Sequence, residues 1–350
     1  MRTPSVGLRA IVVIDNVAAG PAIGGTRMAP DVSARECFRL ARAMTLKNAA
    51  CGLRHGGAKS VIFADPTMPR PEKEQLIRAF ATAIAPLTEY IPGPDMGTDE
   101  TAMGWIHDEI GRAVGLPAEI GGIPLDVIGA TGFGVAISAE VAAPFAGLSL
   151  NGARIVVQGF GAVGEHAARF LERRGARLVG VADIGGAVVN PEGLDIEALS
   201  QLKRQGKSVS DYRGGRVIAN DSLVATPCDI WIPAARPDAI RADNVDRLEC
   251  RLVVQGANVP ATREAEKIMF QRGIVSVPDF IANAGGVVSA AVEYSGGARS
   301  TAFAMIEEKV GGNTLLTLER AREMGVPPVE AASALAIDRL RKMMELRRWR

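Results

Sequence analysis

A glycine-rich turn between a strand-like and a helix-like segment constrains the fold of this chain more than any other feature. The turn begins at Gly159, directly after the apolar run 153–158, and a second strand-like segment ends at Asp183, nineteen positions after Gly164. This order is typical of a βαβ unit that binds a dinucleotide. The residues of the turn are Gly159, Phe160, Gly161, Ala162, Val163 and Gly164.

Each glycine of the turn has a separate task in such a unit. Gly159 permits a tight turn, Gly161 lets the backbone approach a pyrophosphate, and Gly164 lets the helix pack close to the strand. The free N–H groups at the helix N-terminus then face the phosphates. Asp183 is placed to accept hydrogen bonds from the ribose hydroxyls and to repel a 2′-phosphate, so we expect NAD rather than NADP. The alternative is a structural glycine turn with an incidental aspartate.

The rest of the chain predicts a two-domain α/β protein. Strand candidates at 228–232, 251–255 and 274–277 alternate with helical segments, which indicates a doubly wound parallel sheet of Rossmann type. A length of 350 residues is enough for two cores. We place a hinge at the passage that begins with Gly121 and expect a cleft between the domains. The expected divisions are a catalytic and substrate domain at 1–126, an NAD-binding domain at 127–298, and C-terminal helices at 299–350 that return to the catalytic domain.

Local patterns predict several further elements. Ser33 is a good N-cap, and Glu36 three residues later is a capping-box partner. The basic stretch 339–350 is typical of a helix end, where the dipole favours cations. The predicted elements are strands at 8–14 and 59–64 and helices at 33–52, 70–86 and 131–145.

Composition excludes several classes of function. Lys plus Arg total 40 and Asp plus Glu 39, so the net charge of +1 gives no reason to expect a nucleic-acid partner. No apolar run approaches the ~20 residues of a membrane span and no leader is present, so we expect no membrane partner and a cytoplasmic location. The four cysteines show no paired spacing and the three histidines lie far apart. We therefore expect reduced thiols and no metal site.

Two lysines and an aspartate in the N-terminal half suit the oxidation of an amino acid. Lys47, on a predicted helix, is a fixed cation that can hold an α-carboxylate. Lys59, in a glycine-rich loop, can stabilise the oxygen of a carbinolamine, and Asp95, in a Pro-Gly-Pro-Asp loop, suits proton transfer. Taken singly, the alternatives are a surface lysine, a snorkelling lysine and a turn-forming aspartate.

Four motifs contain or flank these residues. They are Gly20-Pro21-Ala22-Ile23-Gly24-Gly25-Thr26-Arg27-Met28, Met44-Thr45-Leu46-Lys47-Asn48-Ala49, Gly56-Gly57-Ala58-Lys59 and Pro92-Gly93-Pro94-Asp95-Met96-Gly97-Thr98. Together with the dinucleotide turn they resemble the glutamate/leucine/phenylalanine/valine dehydrogenase family, from about residue 5 to about residue 340. The resemblance implies the same roles for Lys47, Lys59 and Asp95, and a homo-oligomer, dimeric or larger. It also implies further cofactor-binding residues, namely Thr131, Ala234, Ala235, Asn258 and Asn283.

Two positions depart from the glutamate dehydrogenases of that family. Those enzymes carry a lysine where this chain has Ile23 and a serine where it has Ala290, and both groups serve the side-chain carboxylate of glutamate. A buried carboxylate without them would cost on the order of several kcal/mol. With Gly93 also small, we expect an apolar and roomy pocket, and we expect Arg27 to brace the loop or the domain. The implied substrate-binding residues are Lys47, Ile23, Gly24, Gly93, Val287 and Ala290.

The sequence therefore predicts reversible NAD-dependent oxidative deamination of an apolar L-amino acid, leucine-, valine- or phenylalanine-like, to its 2-oxo acid and ammonium. Glutamate dehydrogenase is the alternative, because the loop around Asp95 is closer to that branch. An alternative of another class is a non-catalytic NAD-binding regulatory relative. The intact Lys47, Lys59 and Asp95 count against it.

Overall fold

The computed structural model describes residues 1–347, which divide into two compact units. The first unit contains Met1–Ile128, Val287–Met305 and the chain from Leu335 onward, and the second contains Gly129–Gly286 and Ile306–Ala334. The basic end at 348–350, which the sequence predicts to finish a helix, lies outside the described residues.

This division differs from the expected domains, mainly on the C-terminal side. The first boundary falls after Ile128 rather than after residue 126. Val287–Met305 groups with the first unit, although most of it was expected within the NAD-binding domain. Ile306–Ala334 groups with the second unit, although it was expected to return to the catalytic domain. The later changes of unit fall inside helices, where the sequence shows no break.

A five-stranded mixed sheet forms the frame of the first unit. Its strands are β1 (Arg2–Thr3), β2 (Leu8–Asn16), β3 (Ala22–Met28), β4 (Gly56–Ile62) and β5 (Tyr90–Pro94). They lie in the order β1-β2-β4-β3-β5, with β3 parallel to β4 and to β5. All of β4 is buried at the centre of the sheet. Strand β5 contains two prolines, which an edge strand tolerates because its outer N–H groups are not needed for pairing.

Four helices accompany this sheet: α1 (Ala34–Ala50), α2 (Arg70–Ile84), α3 (Glu100–Ile110) and α4 (Leu125–Ile128). Helix α1 begins at the predicted cap, where Ser33 Oγ accepts the Glu36 N–H at 3.2 Å. The predicted reciprocal bond from Glu36 is not made, because the Glu36 carboxylate pairs with Arg27 at 2.5 Å. Helix α1 packs against β4.

A seven-stranded sheet forms the frame of the second unit. Its strands lie in the order β12-β11-β10-β6-β7-β8-β9, and those from β12 to β7 are parallel. Strands β8 and β9 pair antiparallel at one edge, so the sheet is not parallel throughout. The strands are β6 (Arg154–Gln158), β7 (Arg177–Asp183), β8 (Gly186–Val189), β9 (Arg216–Ile218), β10 (Ile230–Pro233), β11 (Leu252–Val254) and β12 (Val275–Val277).

The strand order reverses at β6, with β7 on one side and β10 on the other. In doubly wound sheets such a switch point opens a crevice for a ligand at the carboxyl ends of the strands. The accompanying helices are α5 (Ala130–Ala142), α6 (Ala162–Glu172), α7 (Ile196–Arg204), α8 (Arg263–Gln271), α9 (Asp279–Ala282), α10 (Gly285–Tyr294), α11 (Arg299–Met324) and α12 (Pro328–Leu346), the last three contributing to both units.

One stretch of the chain is longer and more apolar than the sequence analysis predicted. Leu125–Ala146 is long and apolar enough to cross a membrane by length and composition, although no stretch was expected to be. In the protein 61 % of its most apolar part is buried, and a core helix passes the same test. The stretch is therefore weak evidence for a membrane span.

Glu266 is a buried carboxyl group in the second unit. It lies on α8 with 5 % of its surface exposed, and the Gln255 amide donates to its Oε1. Its Oε2 has no partner among residues 1–347. Burial raises the pKa of Glu266 to about 7, helped by the charge of Asp279 and opposed by hydrogen bonds to Gln255 and Ser276.

We predict that Glu266→Gln has a higher free energy of unfolding than the wild type, and that this difference grows as pH rises from 5 to 8. The folded-state pKa lies above the unfolded one, so folded wild type holds an extra proton below pH 7, and its free energy of unfolding falls as pH rises through this interval. The full effect is about 3 kcal/mol. Denaturant unfolding at several pH values measures it, with exposed Glu264→Gln as control. Parallel curves for wild type and Glu266→Gln would contradict the prediction.

Candidate active site

Lys59 and Asp95 form an ion pair in the first unit, with Lys59 buried and Asp95 half-buried. Lys59 lies within β4 with 4 % of its surface exposed, not in the glycine-rich loop that its sequence context suggested. Asp95 directly follows β5, and its Oδ2 accepts a hydrogen bond from Lys59 Nζ. The sheet therefore brings together two of the predicted residues that are thirty-six positions apart.

Arg27 holds the other side of Asp95. Its Nε donates to Asp95 Oδ1 at 3.0 Å and its guanidinium also pairs with Glu36. The Met96 N–H donates to the same Oδ1 at 2.6 Å. Arg27 therefore braces the aspartate, and its charge is already engaged by two carboxylates.

Burial and the neighbouring charges set the ionisation of this pair. Burial lowers the pKa of Lys59 below its ordinary value, and the Asp95 carboxylate opposes this only in part. Burial alone would raise the pKa of Asp95, but Lys59 and Arg27 outweigh it, so this pKa lies below its ordinary value. The Asp95 carboxylate therefore stays ionised, and the Lys59 amine deprotonates more readily than an ordinary lysine.

The glycine pair of β3 leaves room for the ion pair. A Cβ at Gly25 would lie 2.8 Å from Asp95 Oδ2 and 3.0 Å from Lys59 Nζ, and one at Gly24 would lie 1.9 Å from the Ala58 carbonyl oxygen. Both positions therefore require glycine for steric reasons. Gly25 in particular keeps the polar ends of Lys59 and Asp95 accessible from β3.

The third predicted residue, Lys47, lies half-buried in the last turn of α1. The side chain of the next residue, Asn48, donates to the Gly56 carbonyl at 2.6 Å, which ties this turn to the start of β4. Lys47 and Lys59 thus lie on two elements that pack against each other.

A small apolar cluster lies in the same unit. It consists of Ile23, Ile91, Val114 and Ala290, all less than 6 % exposed. A Cβ at Gly93 would lie 3.1 Å from Val114 Cγ2, so Val114 occupies the space that Gly93 was expected to leave open. The cluster is apolar as expected but more tightly packed. Val287, the remaining predicted substrate residue, is half-buried one turn before Ala290 on α10.

Three buried hydroxyl groups that the sequence analysis missed support the strands of this site. Tyr90 Oη lies 2.8 Å from Ser60 Oγ and 3.3 Å from Thr26 Oγ1, and it donates to the Gly24 carbonyl at 3.1 Å. These bonds join β3, β4 and β5 next to Lys59. Serine, threonine and tyrosine in short apolar strands carry no specific signal in the sequence.

Two glycines of the dinucleotide turn, Gly159 and Gly164, have no room for a side chain, and the third, Gly161, is exposed. Gly159 has a φ of +102°, and a Cβ there would lie 2.7 Å from Ala235 Cβ. A Cβ at Gly164, in the first turn of α6, would lie 1.8 Å from the Gly159 carbonyl oxygen. Gly161 is exposed at the N-terminus of α6 with no heavy atom near its Cβ direction. Exposed Ala162, half-buried Val163 and buried Phe160 complete the turn.

The other predicted cofactor residues gather around the same edge of the sheet. The Ala234 N–H donates to the Gln158 carbonyl at 2.7 Å, which places the Ala234–Ala235 segment beside the turn. Asn283 donates to Asn258 Oδ1 at 3.0 Å. A Cβ at Gly286 would lie 3.0 Å from Thr131 Oγ1, so the start of α5 adjoins the turn that follows Asn283.

These features fit a nicotinamide dinucleotide. The open N-terminus of α6 presents backbone N–H groups for a pyrophosphate. Asn283 is 4 % exposed, and its Oδ1 is buried without a partner among residues 1–347. A buried polar atom without a partner is costly unless a ligand satisfies it.

Asp183 lies at the end of β7, as predicted, but its carboxylate is already fully hydrogen-bonded. Lys203 Nζ at 2.6 Å and the Val209 N–H at 3.1 Å donate to its Oδ2. Ser208 Oγ at 2.7 Å and the Gly185 N–H at 2.8 Å donate to its Oδ1. The sequence analysis missed these donors, which come from the turn after β7, from α7 and from the loop after α7.

Both parts of the chain match models of one protein family. Residues 4–112 match "Glu/Leu/Phe/Val dehydrogenase, dimerisation domain", and residues 121–348 match "Glutamate/Leucine/Phenylalanine/Valine dehydrogenase". The chain therefore belongs to the Glu/Leu/Phe/Val dehydrogenase family. It is an amino acid dehydrogenase, an oxidoreductase that uses a nicotinamide cofactor, and its dimerisation domain supports oligomer formation.

Similar proteins are named mainly as glutamate dehydrogenases. The NADP-specific glutamate dehydrogenase of Saccharolobus shibatae is 37 % identical, over 95 % of this chain and 83 % of that one. The catabolic NAD-specific glutamate dehydrogenase RocG of Bacillus subtilis is 39 % identical, over 80 % and 68 %. The Leu-bound hetero-hexameric glutamate dehydrogenase of Thermus thermophilus superimposes with a TM-score of 0.88 at 31 % identity, covering 98 % and 86 %. These names favour glutamate over the apolar substrate that the sequence analysis preferred.

We predict that Lys59→Ala lowers kcat by ~10²–10³ because it removes the cation that stabilises the developing oxyanion. Asp95→Asn should act similarly, since the amide cannot take up a proton. NADH binding, followed by fluorescence titration, should stay unchanged in both variants. Lys73→Ala, a lysine of the same unit on α2, is the control. Near-normal turnover by Lys59→Ala would exclude the role assigned to this lysine.

Proposed function

We propose that the protein catalyses the reversible oxidative deamination of an L-amino acid to a 2-oxo acid and ammonium. The Lys59–Asp95 pair is the observation that carries this proposal, because it supplies a cation and a proton carrier side by side. Nicotinamide, when bound, accepts the hydride from Cα. Lys47 holds the α-carboxylate, Lys59 stabilises the oxygen of the carbinolamine, and Asp95 moves protons to and from the substrate nitrogen.

Glutamate is the first candidate substrate, on the strength of the names of the similar proteins. The apolar cluster favours a second candidate, an apolar amino acid. Ile23 and Ala290 are buried in it and offer a side-chain carboxylate no polar partner, and Arg27, the nearest alternative cation in sequence, is engaged by Asp95 and Glu36. Steady-state kcat/KM values for glutamate, leucine, valine and phenylalanine decide between the two candidates.

We predict that Ile23→Lys raises the kcat/KM ratio of glutamate to leucine by at least ~10-fold, whichever substrate the wild type prefers. An ammonium in the cluster would pair a buried carboxylate and would disfavour an apolar side chain. Ile23→Met, which preserves apolar character and approximate volume, is the control. An unchanged ratio in Ile23→Lys would show that the cluster does not contact the substrate side chain.

For the cofactor we propose NAD, because a carboxylate at the end of β7 disfavours a 2′-phosphate. Lys203 weakens this effect, since it neutralises Asp183 at 2.6 Å. The relatives support neither cofactor alone, because they include NAD-specific and NADP-specific enzymes. For the assembly we propose a homo-oligomer, which analytical ultracentrifugation would test.

We predict a modest preference for NADH over NADPH that two substitutions shift in opposite directions. Lys203→Met should widen the ratio of dissociation constants because the charge of Asp183 is then unopposed. Asp183→Ser should narrow it. Fluorescence titration with both reduced cofactors measures the ratio, and exposed Lys207→Met is the control. Preference for NADPH in the wild type, or a ratio that neither substitution changes, would contradict the assignment.

A further inference from the structure

Glu293 is a buried carboxylate that no predicted role uses. It lies on α10 with 8 % of its surface exposed. Its Oε1 accepts the Leu116 N–H at 3.0 Å and its Oε2 accepts the Ile123 N–H at 2.7 Å. Within residues 1–347 no lysine or arginine forms an ion pair with it. A buried charge held only by backbone donors is costly, so this arrangement needs a reason.

The two oxygens of Glu293 fasten both ends of one segment, residues 115–123, which we call the clamped segment. Leu116 and Ile123 are themselves buried, at 7 % and 3 % exposure. The segment turns tightly, since a Cβ at Gly122 would lie 1.8 Å from the Leu116 carbonyl oxygen. Removal of the carboxylate would therefore leave two buried N–H groups without partners at the two ends of a tight turn.

The clamped segment begins next to the apolar cluster. Val114, a cluster member, directly precedes it and is tied to β5 by a 2.8 Å bond from its N–H to the Pro92 carbonyl. Ala290, another member, lies three residues before Glu293 and therefore on the same face of α10. The Glu293 carboxylate thus joins the two elements that bring Val114 and Ala290 into contact.

We infer that Glu293 is a positioning residue for substrate selectivity: its carboxylate fixes the clamped segment to α10 and thereby sets the spacing of Val114 and Ala290 around the substrate side chain. This inference rests on the proposed function. Glu293 does not touch the reacting atoms, so it should affect discrimination among side chains rather than the chemical step. A purely structural role would instead affect stability alone.

The test compares wild type with Glu293→Gln in the direction of reductive amination. Pyruvate, whose side chain is a single methyl group, gives a reference that depends little on the cluster. The second kcat/KM value is measured with the 2-oxo acid that the wild type prefers. This acid is chosen from a panel of 2-oxoglutarate and the oxo acids of leucine and phenylalanine. Ile106→Val, a change in the core of the same unit that removes neither of the Glu293 hydrogen bonds, controls for lost stability.

In Glu293→Gln we expect the ratio of kcat/KM for the preferred 2-oxo acid to that for pyruvate to fall at least ~10-fold, mainly through KM of the preferred acid. kcat with pyruvate and NADH affinity should stay within about twofold of wild type. The amide of this variant can accept only one of the two N–H bonds, so hydrogen exchange should become faster at the Leu116 or the Ile123 amide. Ile106→Val should leave the ratio unchanged, and Glu293→Asp, a shorter carboxylate that also serves if the amide variant does not fold, should give an intermediate ratio.

Two outcomes would overturn the inference. One is a ratio that stays unchanged in Glu293→Gln. The other is an equal fall of the ratio in Ile106→Val, because stability alone would then explain it. Failure of the proposed function is a different result: a wild type that turns over no 2-oxo acid with ammonium and NADH or NADPH overturns both.

Discussion

The ion pair between Lys59 and Asp95 is the interaction on which the first unit depends. The Lys59 ammonium is buried within the sheet and the Asp95 carboxylate is half-buried beside it, so each charge stabilises the other. Arg27 and the Met96 N–H donate to the carboxylate and keep it ionised, whereas the burial of Lys59 in β4 opposes the charge of the amine. An amine kept there has a lowered pKa, which is the property that carbonyl and imine chemistry requires.

Much of the structure around this pair follows from the need to admit it. Gly25 is small because a side chain would collide with both charged groups. The hydroxyl of Tyr90 fastens the neighbouring strands, so the pair does not depend on its own attraction for its geometry. The apolar cluster in the same unit is packed without polar atoms. Charge is therefore confined to one part of the site, and apolar surface forms another.

Local sequence patterns predicted those features that depend on neighbours in the chain. The order of strand, glycine turn, helix and Asp183 predicted β6, the turn, α6 and β7, and Ser33 predicted the start of α1. The sequence analysis missed strands β3 and β5, because glycine and proline usually interrupt strands. Here β3 pairs with a parallel strand on each side, and the prolines of β5 lie in an edge strand, which tolerates them. Glu293 and Leu116 are 177 positions apart. No local pattern reports a contact of that kind, nor the donors that the loop after α7 brings to Asp183.

The four hydrogen bonds to the Asp183 carboxylate limit the substitutions that could change the cofactor preference of this protein. The Asp183 carboxylate presents a negative charge and also anchors the chain around it. The four donors that it accepts from lie on α7 and in the loops at Gly185 and at Ser208–Val209. Replacement of the aspartate would alter the charge presented to an adenosine ribose and would also release those loops. Lineages of this chain would therefore reach a new cofactor preference more readily through Lys203, which contributes charge without anchoring backbone, than through the aspartate itself.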